Sequence, residues 1–143
     1  MTHPLLSETF RQWIETQIEA FEKQTSCEIR IHIEKSNDYP LMDRAAFVFD
    51  HLGMKKTKER NAILLYIQIQ PSRLAMIGDV GFHFLIQKDW HDWTNQLIQY
   101  FQKSEFQLGI SSCLENILIK VQPQFPYQLD DQNELPNQIS SGI

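Results

Sequence analysis

The chain has 143 residues, enough for one ordinary domain with a hydrophobic core of its own. Hydrophobic residues make up 42% and charged residues 22%, which argues against a disordered chain. The net charge of −5 argues against a nucleic-acid partner, and the short basic stretch Lys55, Lys56, Lys58 and Arg60, broken by Glu59, reads as a solvated helix end.

The first residues carry no basic region, no long apolar stretch and no small-residue cleavage site, so no secretory signal is expected. The longest apolar run, Ala62 to Ile67, is far shorter than the ~20 residues of a membrane helix. No membrane anchor is expected, and the reading is a soluble, cytoplasmic monomer. Cys27 and Cys113 fit a reducing compartment, as two buried small hydrophobes rather than a bridge.

In chain order, Phe10, Ile14, Ile18 and Phe21 form one helical stripe over residues 7–23, with Ser7 as N-cap. Glu28 to Glu34 alternates polar residues with three isoleucines and predicts a strand. Ser36 to Pro40 is a loop. Leu41, Ala45, Val48, Phe49 and Leu52 then share a helical face, which stops at Gly53, the place of a C-cap glycine. Ala62 to Ile67 is apolar on both parities and predicts a central strand covered on both faces. A turn at 70–73 leads to a third strand over Leu74 to Gly78. The short connection makes these two strands an antiparallel hairpin, whereas the helix between the first and second makes that pair parallel.

The stretch from Gly81 to Lys88 fits a strand or a helical turn equally. Asp89 is placed as the cap of a helix carrying Trp90, Trp93, Leu97 and Phe101. A last helix carries Phe106, Ile110, Leu114, Ile117 and Val121 and ends before Pro123. Phe125 to Tyr127 is expected to pack back on the body. Residues 1–127 form the domain, and residues 128–143 a polar tail. The order α-β-α-β-β-α-α predicts an α/β fold, a three-layer α/β/α sandwich around a short mixed sheet.

Several segments together resemble the TPM domain family. Thr25-Ser26-Cys27-Glu28-Ile29 is similar to the family's TSGE-I strand opening. Arg44-Ala45, Phe49, Leu52-Gly53, Thr57 and Asn61 follow its RA…F…LG…T…N order, Gly78-Asp79-Val80-Gly81 its GDxG segment, and Phe101-Gln102 with Gly109-Ile110 its F(R/K)…GI helix pair. Asn133 to Pro136 resembles a tail segment of stand-alone bacterial members. The resemblance spans roughly residues 7–127 and implies a Rossmann-like sandwich, divalent-ion binding, and phosphatase-like chemistry in some members. The chain departs from the pattern at Cys27 and Ala62, where the family has glycine, and both side chains add bulk beside the expected site.

The mixed topology gathers Glu28, Asn61 and Asp79 at one rim of the sheet, with Thr57 close by. These are hard oxygen donors suited to Ca²⁺ or Mg²⁺, so a divalent cation is the expected cofactor, with Asp79 its first ligand and Glu28 its second. The alternative is that Asp79 caps a turn and Glu28 pairs with a lysine. Ser36, Asn37, Asp38 and Asp43 sit at the opposite rim, either as a second oxygen-rich patch or as a solvated loop with a helix cap. No histidine pair has HExxH spacing. His83 alone falls near the expected site, and His32 on the polar parity of the first strand reads as a satisfied core histidine. GxxxxGK(S/T), GxGxxG and GxSxG are absent, so phosphate ester hydrolysis would need a metal. The expected function is a non-catalytic binding or regulatory module holding a divalent ion and a protein partner. The alternative is a metal-dependent phosphatase-like hydrolase.

Overall fold

The computed structural model of the chain describes residues 3–82, 88–128 and 140–141. A short 3₁₀ turn at Pro4–Leu6 precedes α1 (Glu8–Glu22). Ser7 caps α1 as its sequence position suggests, its Oγ accepting from Phe10 N–H at 3.1 Å. β1 (Ile29–Glu34), α2 (Leu41–His51), β2 (Ile63–Gln68) and β3 (Arg73–Gly78) follow. α3 (Trp90–Gln102) and α4 (Phe106–Val121) come next, and β4 (Ser140–Ser141) closes the order. Gly53 ends α2 with φ of 71°, a left-handed conformation that glycine enters without a Cβ penalty. Asp89 precedes α3, but its side chain makes no cap; its carboxylate lies 3.2 Å from Lys120 of α4 instead.

The strands run in the order β3-β2-β1-β4. β1 and β2 are parallel, with Ile29 opposite Ile63, and β2 and β3 are antiparallel, with Ile63 opposite Gly78. The expected mixed sheet is therefore present. β4, which the polar composition of the tail does not announce, pairs parallel to the other side of β1 at His32 and Ile33.

Each face of the sheet has its own core, and this makes the three layers. On one face, Ile29, Ile31, Ile33, Ile63, Leu65 and Ile67 pack with Ile14 and Ile18 of α1, Leu97 of α3, and Ile110 and Ile117 of α4. On the other, Leu64, Tyr66 and Ala75 pack with Ala45, Val48 and Phe49 of α2. Burying one such aliphatic side chain is worth about 2 kcal/mol, so the larger face anchors the domain. Cys27 and Cys113 are buried and unbridged. Phe125 packs back as expected: its carbonyl accepts from Ser26 N–H at 2.9 Å.

Residues 80–82 are helical and Phe82 is buried. The rest of the ambiguous segment, with His83, and the tail motif Asn133 to Pro136 lie outside the described residues. Among the described residues no helix is long and apolar enough to cross a membrane.

Candidate functional site

The backbone register builds the rim expected from the sequence. Ile63 N–H donates to the Glu28 carbonyl at 2.8 Å, and Asp79 N–H donates to the Ala62 carbonyl at 2.9 Å. Glu28 and Asp79 therefore flank Ala62 in one row across the ends of three strands, with Asn61 immediately before it. Thr57, Asn61, Glu28 and Asp79 are all buried, none more than 5% exposed. Thr57 Oγ1 is buried with no hydrogen-bond partner among the described residues.

Two neighbours missed in the sequence complete this rim. Arg60 clamps Asp79 with both prongs, Nε to Oδ2 at 2.6 Å and Nη2 to Oδ1 at 2.8 Å, while Val80 N–H donates to Oδ1 at 2.8 Å. Glu59 accepts from Ser26 Oγ at 3.2 Å and from the Asn61 side-chain amide at 3.3 Å. The basic run containing Arg60 reads as solvent-facing, so nothing in its spacing separates Arg60 from the lysines. The separating signal is the backbone: Arg60 takes φ of 53°, a conformation that costs a non-glycine residue about 1 kcal/mol or more. Gly81 supports that loop by donating to the Arg60 carbonyl at 2.7 Å, an approach that leaves no room for a side chain. The turn after β3 is thus sewn to the loop before β2.

The exposures of the Arg60–Asp79 pair are unequal. The Asp79 side chain is 3% exposed, the Arg60 side chain 43%. The buried acid is neutralised by a cation that reaches it from solvent. Beside it, between α2 and the end of β3, lies a groove of about 470 Å³ with apolar walls from Phe49, Ile77 and Val80. Lys55, paired with Asp50 at 3.0 Å, shares this groove with Arg60. Cys27 and Ala62 direct their added bulk into the two cores rather than into the groove. Among the described residues, no group of three or more His, Cys, Asp or Glu side chains gathers as an ion cage.

The opposite rim holds a denser network. The polar residues of β1 are buried rather than solvated. Arg44 Nε lies 3.0 and 3.1 Å from the two carboxylate oxygens of Glu34, and Arg44 Nη2 also donates to it. Tyr66 donates its hydroxyl proton to Glu34 at 2.6 Å, and Asn37 donates from Nδ2 at 2.8 Å. His32 Nε2 is 3.0 Å from Glu34 and its ring stacks on Tyr66. Burial alone would raise the Glu34 carboxyl; hydrogen bonds from Arg44, Tyr66 and His32 outweigh it and hold it at about 2. Burial lowers His32 and, with the bond to Glu34, pushes Tyr66 up to about 12. Asn37 is therefore a structural donor, not a member of an oxygen-rich patch. The hydrogen bonds and ion pairs that build the network come from Glu34, Arg44, Tyr66, His32 and Asn37, not from Asp38 or Asp43. Arg44 is read from the sequence as part of the family pattern, and its partner Glu34 is not.

A model of the family described as TPM domain matches residues 2–118. No curated protein matches the chain. Among solved structures, the chain is similar to the BA42 protein of the psychrophilic bacterium Bizionia argentinensis, with a TM-score of 0.89 and 32% identity over 99% of both chains. It also shares its fold with the N-terminal domain of a protein from P. gingivalis, with a TM-score of 0.65 and 16% identity over 85% of this chain and 79% of the other.

Proposed function

The chain belongs to the TPM domain family, and we propose that it acts as a non-catalytic binding module in which a divalent cation, Ca²⁺ or Mg²⁺, replaces Arg60 at Asp79. One observation carries this reading: the buried Asp79 carboxylate has as its counter-charge a guanidinium that is 43% exposed and can swing into solvent. Asp79 and Glu28 would supply carboxylate oxygens, Asn61 its amide oxygen, and Thr57 the hydroxyl oxygen that has no hydrogen-bond partner among the described residues. Such hard donors fit these ions. Arg60 already occupies the Asp79 carboxylate, so an ion binds in exchange for it and weakly. The reading sets the protein in the cytoplasm as a monomer, in keeping with its two unbridged cysteines.

The test is an amide NMR titration with CaCl₂ and MgCl₂. Shifts should concentrate at residues 57–62 and 78–81 and vanish in Asp79→Asn. Shifts elsewhere, or none at millimolar ion, would sink the reading.

The groove beside Asp79 favours a second reading, because Lys55 and Arg60 line it on apolar walls, where an anion would compete for them with their partners Asp50 and Asp79. In a metal-dependent phosphatase-like hydrolase this groove would take the phosphate ester. Turnover of p-nitrophenyl phosphate with Mg²⁺, Mn²⁺ or Ca²⁺ that is lost in Asp79→Asn supports this second reading. Turnover no greater than the blank removes it.

A further inference from the structure

Three large apolar side chains stand in solvent around the start of α2: Tyr39 is 61% exposed, Met42 53% and Phe47 49%. The two rings are held in place. Tyr39 N–H donates to Asn37 Oδ1 at 3.0 Å, and the Tyr39 carbonyl accepts from Arg73 Nη2 at 3.2 Å. The Arg44 guanidinium lies against both the Tyr39 and the Phe47 ring, and Phe47 also stacks on His51 at 5.8 Å. Rings ordered before contact lose little freedom on binding, which suits an exposed aromatic side chain to anchor a partner.

Charge narrows the choice of partner. Glu34 cancels Arg44. Asp38 adjoins Tyr39, and Asp43 lies one turn before Phe47 on the same side of the helix. Neither carboxylate takes a hydrogen bond or an ion pair among the described residues. The helix dipole favours Asp43 in the first turn of α2 but does nothing for Asp38. Two carboxylates without counter-charge therefore stand among the apolar side chains. Such a surface repels a polyanion. A second copy of the chain packed symmetrically on it would set the same acids against each other.

We infer that the surface at the start of α2 docks a basic, arginine-bearing segment of a protein partner. The guanidinium groups pair with Asp38 and Asp43, and the apolar side chains of the segment lie on Tyr39, Met42 and Phe47. Arginine suits this surface better than lysine, because its planar head both stacks on a ring and pairs with a carboxylate through two bonds. None of these five residues lines the groove beside Asp79, so the inference stands or falls apart from ion binding there.

The probe is a capped hexapeptide of alternating arginine and leucine, titrated into the full chain and followed by amide NMR. The same peptide with glutamate in place of arginine is the control. Shifts from the arginine peptide should gather at residues 38–47 and shrink with added salt, and the glutamate peptide should leave those amides in place. Asp38→Asn with Asp43→Asn should weaken binding about fivefold, and Phe47→Ser about as much. All three side chains are exposed, so both variants should keep the dispersed spectrum of the unsubstituted chain. Shifts spread over the other acidic surfaces, an equal response to the two peptides, or unchanged affinity in either variant overturns the inference.

Discussion

Glu34, the last residue of β1, and Arg44, in α2, meet in a two-pronged ion pair beneath the helix, with Arg44 Nε 3.0 and 3.1 Å from the carboxylate oxygens. The exposed rings of Tyr39 and Phe47 lie 5.9 and 5.1 Å from the guanidinium carbon and shield it from solvent. Removing one member leaves the other as a buried charge. Arg44→Met is therefore expected to cost about 3–5 kcal/mol in urea unfolding. Adding Glu34→Gln to Arg44→Met should recover part of that loss, and a fully additive double variant would show that the two groups do not act as a pair.

Acid should unfold the protein in stages. His32 has a lower pKa in the folded chain because of burial, so below pH about 6.5 the unfolded chain takes up a proton that the folded chain resists. Stability starts to fall there. Glu34 is held at about 2 against an ordinary value of 4.5, so its contribution is whole above pH 4.5 and is lost as pH falls toward 2. Glu22 is raised, by burial first, and works the other way, its penalty easing in acid. Chemical unfolding of Glu34→Gln from pH 6 to pH 2 should show an acid loss smaller by about 3 kcal/mol than the unsubstituted chain. An unchanged loss would mean that Glu34 titrates normally in the fold.

Arg60 should matter both for stability and for the proposed ion binding. Arg60→Gln leaves the buried Asp79 carboxylate without its counter-charge, so thermal unfolding should come at a lower temperature than in the unsubstituted chain. The same substitution removes the competitor at Asp79 and should tighten Ca²⁺ several-fold by calorimetry. Weaker binding would instead make Arg60 part of the site.

Gly81 is the hinge pin of the same rim. A Cβ at this position would stand 2.4 Å from the Glu59 carbonyl oxygen and 2.8 Å from that of Arg60, both backbone atoms without slack. Gly81→Ala is expected to lower stability by about 1–3 kcal/mol. In NMR spectra it should move the amides of residues 57–61 well before those of α4.

Most of the architecture was legible in residue periodicity. The isoleucines of β1 and the apolar stripes of α1, α2 and α4 point to their burial without help from tertiary context, and the hairpin follows from a short loop. The site was legible only as positions. Glu28, Asn61 and Asp79 could be placed on one rim by counting strand directions, but no spacing predicts that Arg60 folds back through a left-handed turn to take Asp79. Glu34 was hidden for a related reason. Strict alternation makes the polar side of a strand look solvated, whereas in the fold Arg30, His32 and Glu34 are buried groups that need partners. β4 was invisible because two serines carry no strand signal.

The two cores are unequal, and among the described residues the smaller one lies under α2 and Met54. Holding α2 by the smaller cluster makes a local opening of that helix cheaper than global unfolding. It roofs the Glu34–Arg44 pair and also walls the groove beside Asp79. A local opening of that helix would let water reach the Glu34 rim and the groove beside Asp79 together.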